Sequence, residues 1–414
     1  MEAQRVLVDR LAAKLDLASV TAQRLEDPGL WRQAETAATE IADQMASAGE
    51  CPPSVSRNAL VQDAISEALG LGPLEELLAD ERVDEIVVDR PDRVLVSHGS
   101  GLQVSGKAFS SDESLRRAVE RLVAPTGRSI DQRTPLVEAR LPSGARLAAA
   151  VPPVAVRGAC LTLKKPSSQA QSLSDLVSAA SISPQIADFL ATCVTARKNV
   201  LVCGAPGSGK SAVLAALARE APEGERIVTV EEVAELALSR EGWVALESRP
   251  SDGNGVPEVD LDALIRGALR MRPDRLVVGD VRGGEALELV SAMASSSDGS
   301  LAAIAGNGPR AALARLTAMA RLAAPGSTAG ALRELVASAV DVVVHVARYA
   351  DARYRVASVS EVLGAGEDGF QTQEIFGFRG GAEDGGFAAA GVVPAFYAEL
   401  EQRGMPADTT IFRG

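Results

Sequence analysis

The sequence predicts an α/β protein organised around a mostly parallel β-sheet, and three observations lead there. Beyond residue 181, short runs rich in Val and Ile alternate with helical patterns: Asn199 to Cys203, Arg226 to Val230, Leu276 to Gly279, Ser300 to Ile304 and Asp341 to Val346. Such alternation is what a sheet covered by helices on both faces requires. The first run leads directly into Gly204-Ala205-Pro206-Gly207-Ser208-Gly209-Lys210-Ser211, a G-x-x-x-x-G-K-[ST] match followed by the helical Ala212 to Arg219. The composition, 46% hydrophobic and 23% charged over 414 residues, excludes a disordered chain and supports roughly two or three domains, each with a core.

Taken in order, residues 1–54 read as a helical extension, because Val6, Leu11, Leu15 and the run Leu17 to Val20, then Ile41, Met45 and Ala48, recur at helical spacing. Cys51-Pro52-Pro53 ends it. Residues 55–165 read as a small α/β domain. It opens with the helical Asn58 to Leu69 and Leu74 to Ala79, then the strand candidates Glu85 to Val88 and Arg93 to Val96 around the turn Arg90-Pro91-Asp92. Arg146 to Val151 and Ala159 to Lys164 are further strand candidates, bordered by Gly144 and Gly158. Residues 166–180, polar and without periodicity, read as a linker. Residues 181–414 form the larger domain; its Gly364 to Gly386 stretch reads as a loop or hairpin, and Pro394 to Arg403 as a last short helix.

Charge and cysteines narrow the setting. With 55 acidic and 42 basic side chains the formal charge is −13, so no global basic field draws the chain onto nucleic acid, and no nucleic-acid partner is expected. No run of 18 uncharged apolar residues occurs, and Glu2, Arg5, Asp9 and Arg10 break the opening segment, so neither a membrane span nor export is expected. Cys51, Cys160, Cys193 and Cys203 stand far apart, which argues against a zinc site or a disulfide framework and fits a reducing cytoplasm.

The Gly204–Ser211 loop predicts a nucleotide site. Its glycines let consecutive backbone N–H groups face a phosphate, the helix N-terminus adds positive potential, Lys210 reaches the β/γ oxygens, and Ser211 ligates Mg²⁺. A bare glycine-rich turn does not explain Lys210, one of six lysines in the chain. Downstream, Arg275-Leu-Val-Val-Gly-Asp280 is an apolar strand ending in a carboxylate that is a candidate to orient Mg²⁺, a turn or helix cap being the other reading of Asp280. Val228-Thr-Val-Glu231-Glu232 ends another strand with paired acids, placed either to polarise the attacking water or in a solvated loop.

In this order the pieces resemble the type II/IV secretion ATPase superfamily, and within it the tight-adherence (CpaF-like) pilus assembly ATPases. The likeness spans about residues 55 to 400. It rests on Leu71 to Asp80, Asp131 to Arg146, the phosphate loop, Arg226 to Glu231, Ala268 to Arg275, Val278 to Ala286 and Asp298 to Leu301. The resemblance implies a RecA-like ATPase domain behind the smaller N-terminal domain, a hexamer with ATP and Mg²⁺ bound between the domains, and an inner-membrane platform as partner. The protein would then be cytoplasmic and peripheral at the inner membrane. It implies Glu231 as catalytic glutamate, with Glu232 and Asp280 standing where the family usually has Asp and Glu. Arg140 and Arg146 would approach the phosphates, with Arg270 and Arg272 as further candidates and surface ion pairs as the other reading.

The chain also departs from that pattern. Where the family reads Gly-His-Asp-Gly-Ser-Leu-Thr-Thr-Ile-His-Ala-Asn, this chain has Ser296-Ser297-Asp-Gly-Ser-Leu-Ala-Ala-Ile-Ala305-Gly-Asn307, so both histidines, which the resemblance puts beside the nucleotide, are absent. Lys164-Lys165 replaces a usual Arg-Lys or Arg-Arg pair, and Asp89-Arg90 a usual Asn-Gly; His98 and His345 read as structural. Three functions stay open: an ATP-hydrolysing motor of a tight-adherence-like pilus or secretion apparatus, a catalytically weak ATP-binding scaffold of such a motor, and a conjugation-type ATPase.

Overall fold

A computed structural model describes residues 2–17, 24, 27–51, 56–98, 101–165, 172–249, 251, 257–295, 297–351, 353–381, 385–405 and 407–413. The chain divides into two units, Met1–Ser167 and Ser168–Gly414. Among the described residues no helix is long and apolar enough to cross a membrane.

In the first unit, α1 (Glu2–Lys14), α2 (Pro28–Ser47) and α3 (Arg57–Leu69) share one core of Leu7, Leu11, Leu30, Ile41, Met45, Leu60 and Ile65. Packing thus runs across the boundary expected at residues 54 and 55, because the apolar stripe of α3 is complementary to those of α1 and α2. The expected helical run Leu17 to Val20 lies mostly outside the described residues, as do Pro52 and Pro53. Two contacts tie α3 to the rest of the unit. Arg121 donates to the carbonyls of Ala68 and Gly70 at the C-terminus of α3, the latter at 2.6 Å. The buried Glu67 carboxylate, its pKa raised by burial, accepts from Gln4 at 2.7 Å and from the amide and hydroxyl of Ser110.

Beyond α4 (Leu74–Ala79) come six strands: β1 (Glu85–Arg90), β2 (Arg93–Ser97), β3 (Leu102–Val104), β4 (Leu136–Arg140), β5 (Arg146–Ala150) and β6 (Cys160–Lys164). They form an antiparallel sheet in the order β3-β2-β1-β6-β5-β4. Alternate residues such as Ile86, Val88, Leu147, Leu161 and Leu163 face α4 and α5 (Asp112–Val123), whose Leu74, Leu115, Val119 and Leu122 complete the core.

The second unit starts earlier than expected. Of the 166–180 segment, residues 166–171 lie outside the described residues, but α6 (Leu173–Ser178) follows at once. Ser172 and Asp175 exchange hydrogen bonds as a capping box, and Leu173 and Leu176 enter the core, so a polar stretch read as linker holds a short helix. Then come α7 (Pro184–Thr195), β7 (Val200–Gly204), α8 (Lys210–Arg219), β8 (Ile227–Glu231), β9 (Trp243–Glu247), α9 (Leu261–Arg270), β10 (Arg275–Val281), α10 (Ala286–Ser295), β11 (Leu301–Ala305), α11 (Pro309–Ala323), α12 (Ala329–Ala339) and β12 (Val342–Arg348). The hairpin β13 (Tyr354–Gly366) and β14 (Gly369–Arg379), the edge strand β15 (Gly386–Ala389) and α13 (Phe396–Gln402) finish the chain. The hairpin alternative for Gly364 to Gly386 therefore holds through β14, with residues 382–384 outside the described set.

The nine strands order β15-β14-β13-β12-β7-β11-β10-β8-β9, and those from β12 to β9 run parallel. Alternation along β7 shows that both faces are covered. Val200 and Val202 join one core with α6, α7, α8 and α13, whereas Leu201 and Cys203 join the other with α9, α10, α11 and α12. All four cysteines are free thiols.

Asn199 locks the lower end of the central strand. Its buried amide accepts from the amides of Gly299 and Ser300, both at 2.9 Å, and donates to the carbonyls of Met293 at 3.1 Å and Ala339 at 2.8 Å. Asn199→Ala leaves these groups buried without partners and is expected to destabilise the second unit by about 2–4 kcal/mol, read by urea denaturation. A loss below about 0.5 kcal/mol contradicts this account.

Candidate functional site

The parallel strands β7, β8, β10 and β11 all deliver their carboxyl ends to one edge of the sheet, where α/β proteins bind ligands. There the chain leaves β7 through the loop Gly204 to Lys210 into α8. A Cβ on Gly204 would lie 2.4 Å from the Val346 carbonyl and 2.3 Å from Ser208 Oγ, so only glycine fits. Gly207 and Gly209 take φ of +71° and +90°, which turn the loop into the helix. Ala205, Pro206 and Gly207 form its exposed rim, while Ser208 is buried and its Oγ has no hydrogen-bond partner.

Lys210 opens α8, and its Nζ donates to the carbonyls of Gly204 at 3.2 Å and Ala205 at 3.1 Å. Burial pushes its pKa down, and the negative charge of Asp280 pulls most strongly the other way. Ser211 donates to Glu235 Oε2 at 3.0 Å.

A bulge aims Asp280. In the pairing of β10 with β11, Val278 faces Ala302 and Val281 faces Ile304, so one extra residue is accommodated at Gly279-Asp280. One carboxylate oxygen, Oδ2, accepts from Arg282 Nε at 3.0 Å; the other, Oδ1, is buried without a partner. Arg282 also pairs with Glu232, and its amide, with that of Gly283, donates to the buried Glu285 at 2.6 and 2.8 Å.

Glu231 ends β8 and is buried. Its Oε1 accepts from the amides of Glu235 at 2.9 Å and Leu236 at 3.1 Å, and its Cγ lies so close to Gly279 that a Cβ there would stand 2.7 Å away. The carboxylate is thus fastened to the loop following its own strand. Three residues that the motif reading passed over, Glu235, Arg282 and Glu285, complete this edge. Glu235 carried a signal, lying four residues beyond Glu231; Arg282 and Glu285 lie inside the Val278 to Ala286 motif, where no role pointed to them.

A magnesium ion of the kind found with nucleoside triphosphates keeps most of its waters and takes one or two protein oxygens. The partnerless, buried Asp280 Oδ1 and the Ser211 hydroxyl, both beside the Lys210 helix start, fit such an ion.

Arg140 and Arg146 lie in the first unit, directly opposite one another in the β4–β5 pair, and Lys164 continues the row on β6. Arg146 Nη2 pairs with Glu138 at 3.1 Å. Arg270 ends α9, and Arg272 takes φ +56° in the turn before β10. His98 Nδ1 meets the Arg82 carbonyl at 2.8 Å, and His345 is half-buried on β12 with its pKa lowered by burial.

The two positions where the resembled family has histidines sit at opposite ends of β11. Ala305 pairs in register with Gly204 and so lies beside the phosphate loop. Ser297 precedes β11, among residues bound by Asn199 at the start of β7. A strand length, roughly 15 Å, separates it from the loop, which corrects the expectation that both positions adjoin the nucleotide.

Residues 67–375 match the sequence model of the family described as type II/IV secretion system protein. A Mycobacterium tuberculosis (strain ATCC 25618 / H37Rv) protein, Rv3659c, provisionally named a conjugal transfer protein, is 38% identical over 301 residues, or 71% of this chain and 85% of that one. The type IV secretion system protein PtlH homolog of Bordetella bronchiseptica is 33% identical over 70% of this chain and 93% of its own length. Among solved structures, the VirB11 ATPase from the Brucella suis type IV secretion system, in complex with sulphate, is 26% identical over 70% of this chain and 96% of that one, with a TM-score of 0.39.

Gly279 and Gly267 make a matched pair of substitutions. Gly279→Ala drives a methyl group into Glu231 and is expected to cost about 1–3 kcal/mol, whereas Gly267→Ala, inside α9 with nothing within 4 Å of its Cβ, should be neutral or stabilising by about 0.5–1 kcal/mol. Thermal melts of the two variants compare them, and equal melting temperatures would refute the Glu231–Gly279 contact.

Proposed function

The chain belongs to the type II/IV secretion system protein family, and on that premise we propose that it is an ATP-hydrolysing motor subunit of a tight-adherence-like pilus or secretion apparatus. It works as a hexamer on the cytoplasmic face of the inner membrane, against platform proteins embedded there. What carries the reading is the meeting, at one sheet edge, of a glycine-crowded phosphate loop, Lys210, and a buried Asp280 oxygen without a partner.

Each residue has a separable task. The loop amides and the α8 N-terminus cradle the β-phosphate, and Lys210 exchanges its two loop carbonyls for β/γ oxygens. Ser211 and Asp280 would hold Mg²⁺, which would supply charge neutralisation to the phosphates. Glu231, released from the Glu235 and Leu236 amides, takes a proton from the attacking water. Glu232 holds Arg282 beside Asp280. Arg140 and Arg146, with Lys164 in the same row, offer cations to the phosphates of a neighbouring subunit.

A second reading, the catalytically weak scaffold, draws on Ala305. A methyl group beside Gly204 supplies no hydrogen-bond donor where the resembled family has an imidazole. The conjugation-type alternative gains from the name of the mycobacterial relative and loses from the charge of −13.

Steady-state ATP hydrolysis and calorimetric ATP binding test the proposal. Lys210→Ala is expected to abolish tight binding, and Glu231→Gln to keep ATP bound while lowering turnover by about 10²-fold or more. If Glu235→Gln gives that loss and Glu231→Gln does not, the base is Glu235. If the parent neither binds nor hydrolyses ATP, the motor reading fails.

The histidine positions give an independent expectation. Ala305→His should raise turnover with little change in ATP affinity, and Ser297→His, a strand length away, should leave it unchanged. Equal effects at both positions, or none at 305, would mean that no such deficit exists; brisk turnover by the parent eliminates the scaffold.

A further inference from the structure

Tyr354 is a large aromatic side chain left 37% exposed against the phosphate loop. It opens β13, and a Cβ on Gly209 would lie 3.3 Å from its Cβ and Cγ. Arg348, directly opposite in the β12–β13 register, places its guanidinium carbon 5.6 Å from the ring centroid. Neither residue is given a task in the reading above.

Sheet order decides what this pair can meet. β7 has β11, β10 and β8 on one side, carrying Asp280 and Glu231, and β12 on the other, with the β12–β13 turn at the same edge. A triphosphate held by the loop with its terminal phosphate toward those carboxylates must run its nucleoside end toward the β12 side. There the side chain beside Gly209 is the Tyr354 ring with the Arg348 guanidinium over it, and aromatic rings and guanidinium groups are what a nucleobase stacks on.

We propose that Tyr354, supported by Arg348, is the platform on which the base of the bound nucleotide stacks. The proposal rests on the nucleotide-binding reading above and deepens it. Stacking needs a π-face and no hydroxyl, so phenylalanine serves as well as tyrosine. It distinguishes a nucleotide from a bare polyphosphate and discriminates weakly among bases.

The experiment titrates the full chain, with Mg²⁺ present, with ATP and separately with inorganic tripolyphosphate, in the parent, Tyr354→Ala and Tyr354→Phe. The parent should bind ATP about 10-fold or more tighter than tripolyphosphate; Tyr354→Ala should lose about 10-fold in ATP affinity and keep its tripolyphosphate affinity. Tyr354→Phe should stay within about 3-fold of the parent for both. As a direct probe of stacking, 2-aminopurine riboside triphosphate should be quenched on binding to the parent and to Tyr354→Phe, and not on Tyr354→Ala. The platform is overturned if Tyr354→Ala binds ATP like the parent, or if it loses tripolyphosphate equally, which would make Tyr354 a mere support of the loop. A parent that binds both ligands equally overturns the platform and leaves the phosphate site standing; one that binds neither overturns both.

Discussion

The close approach of Gly204 to the Val346 carbonyl and the Ser208 side chain is the constraint on which the second unit's chemistry depends. β7 lies between β12 and β11, and at its carboxyl end there is no room for even a methyl group. The loop therefore starts inside the sheet's own edge and turns immediately, at positive φ on Gly207 and Gly209, into α8. The exposed rim of Ala205 to Gly207 is the consequence, and so is the position of Lys210, whose ammonium reaches back over carbonyls of the loop it caps.

Around that loop the charges are arranged so that anions are held by backbone amides or by one arginine. Glu231 is fastened by the amides of Glu235 and Leu236, Glu285 by those of Arg282 and Gly283, and Arg282 spans Asp280 and Glu232. Desolvation of a carboxylate is offset when N–H donors or a guanidinium meet it. Asp280 Oδ1 and Ser208 Oγ are the exceptions along this edge, buried polar atoms with nothing to bind within the chain. Buried groups left unsatisfied are expensive, and in the proposed reading these two are where a ligand's oxygens or ion would sit.

The first unit follows a different logic. Its antiparallel sheet has one face against α4 and α5, and the row Arg140, Arg146 and Lys164 crosses three strands in register, with Glu138 pairing to Arg146 beside it. Like charges directly opposite one another in a sheet are unfavourable. Within the unit two acidic residues relieve this row, Glu138 paired to Arg146 and Glu85 directly opposite Lys164 on β1.

Sequence by itself determined much of this protein. Short apolar runs mark β7, β8, β10, β11 and β12 because strands buried on both faces are apolar at most positions, and the phosphate-loop motif is legible in eight consecutive residues because its conformation lies in its own backbone. What was illegible depended on contacts between residues far apart in the chain. The membership of α3 in the three-helix core and the half-exposed β4 and β9 show no local signal, since their partners decide their state, whereas α6 carries one, the Ser172 and Asp175 capping box, inside a polar stretch. The same holds at the site. Nothing in the motif around Ser297 and Ala305 says which residues meet the two ends of the strand between them, nor that Tyr354 packs against Gly209. Strand order and register, which only tertiary packing selects, put Ala305 beside Gly204 and Tyr354 against Gly209.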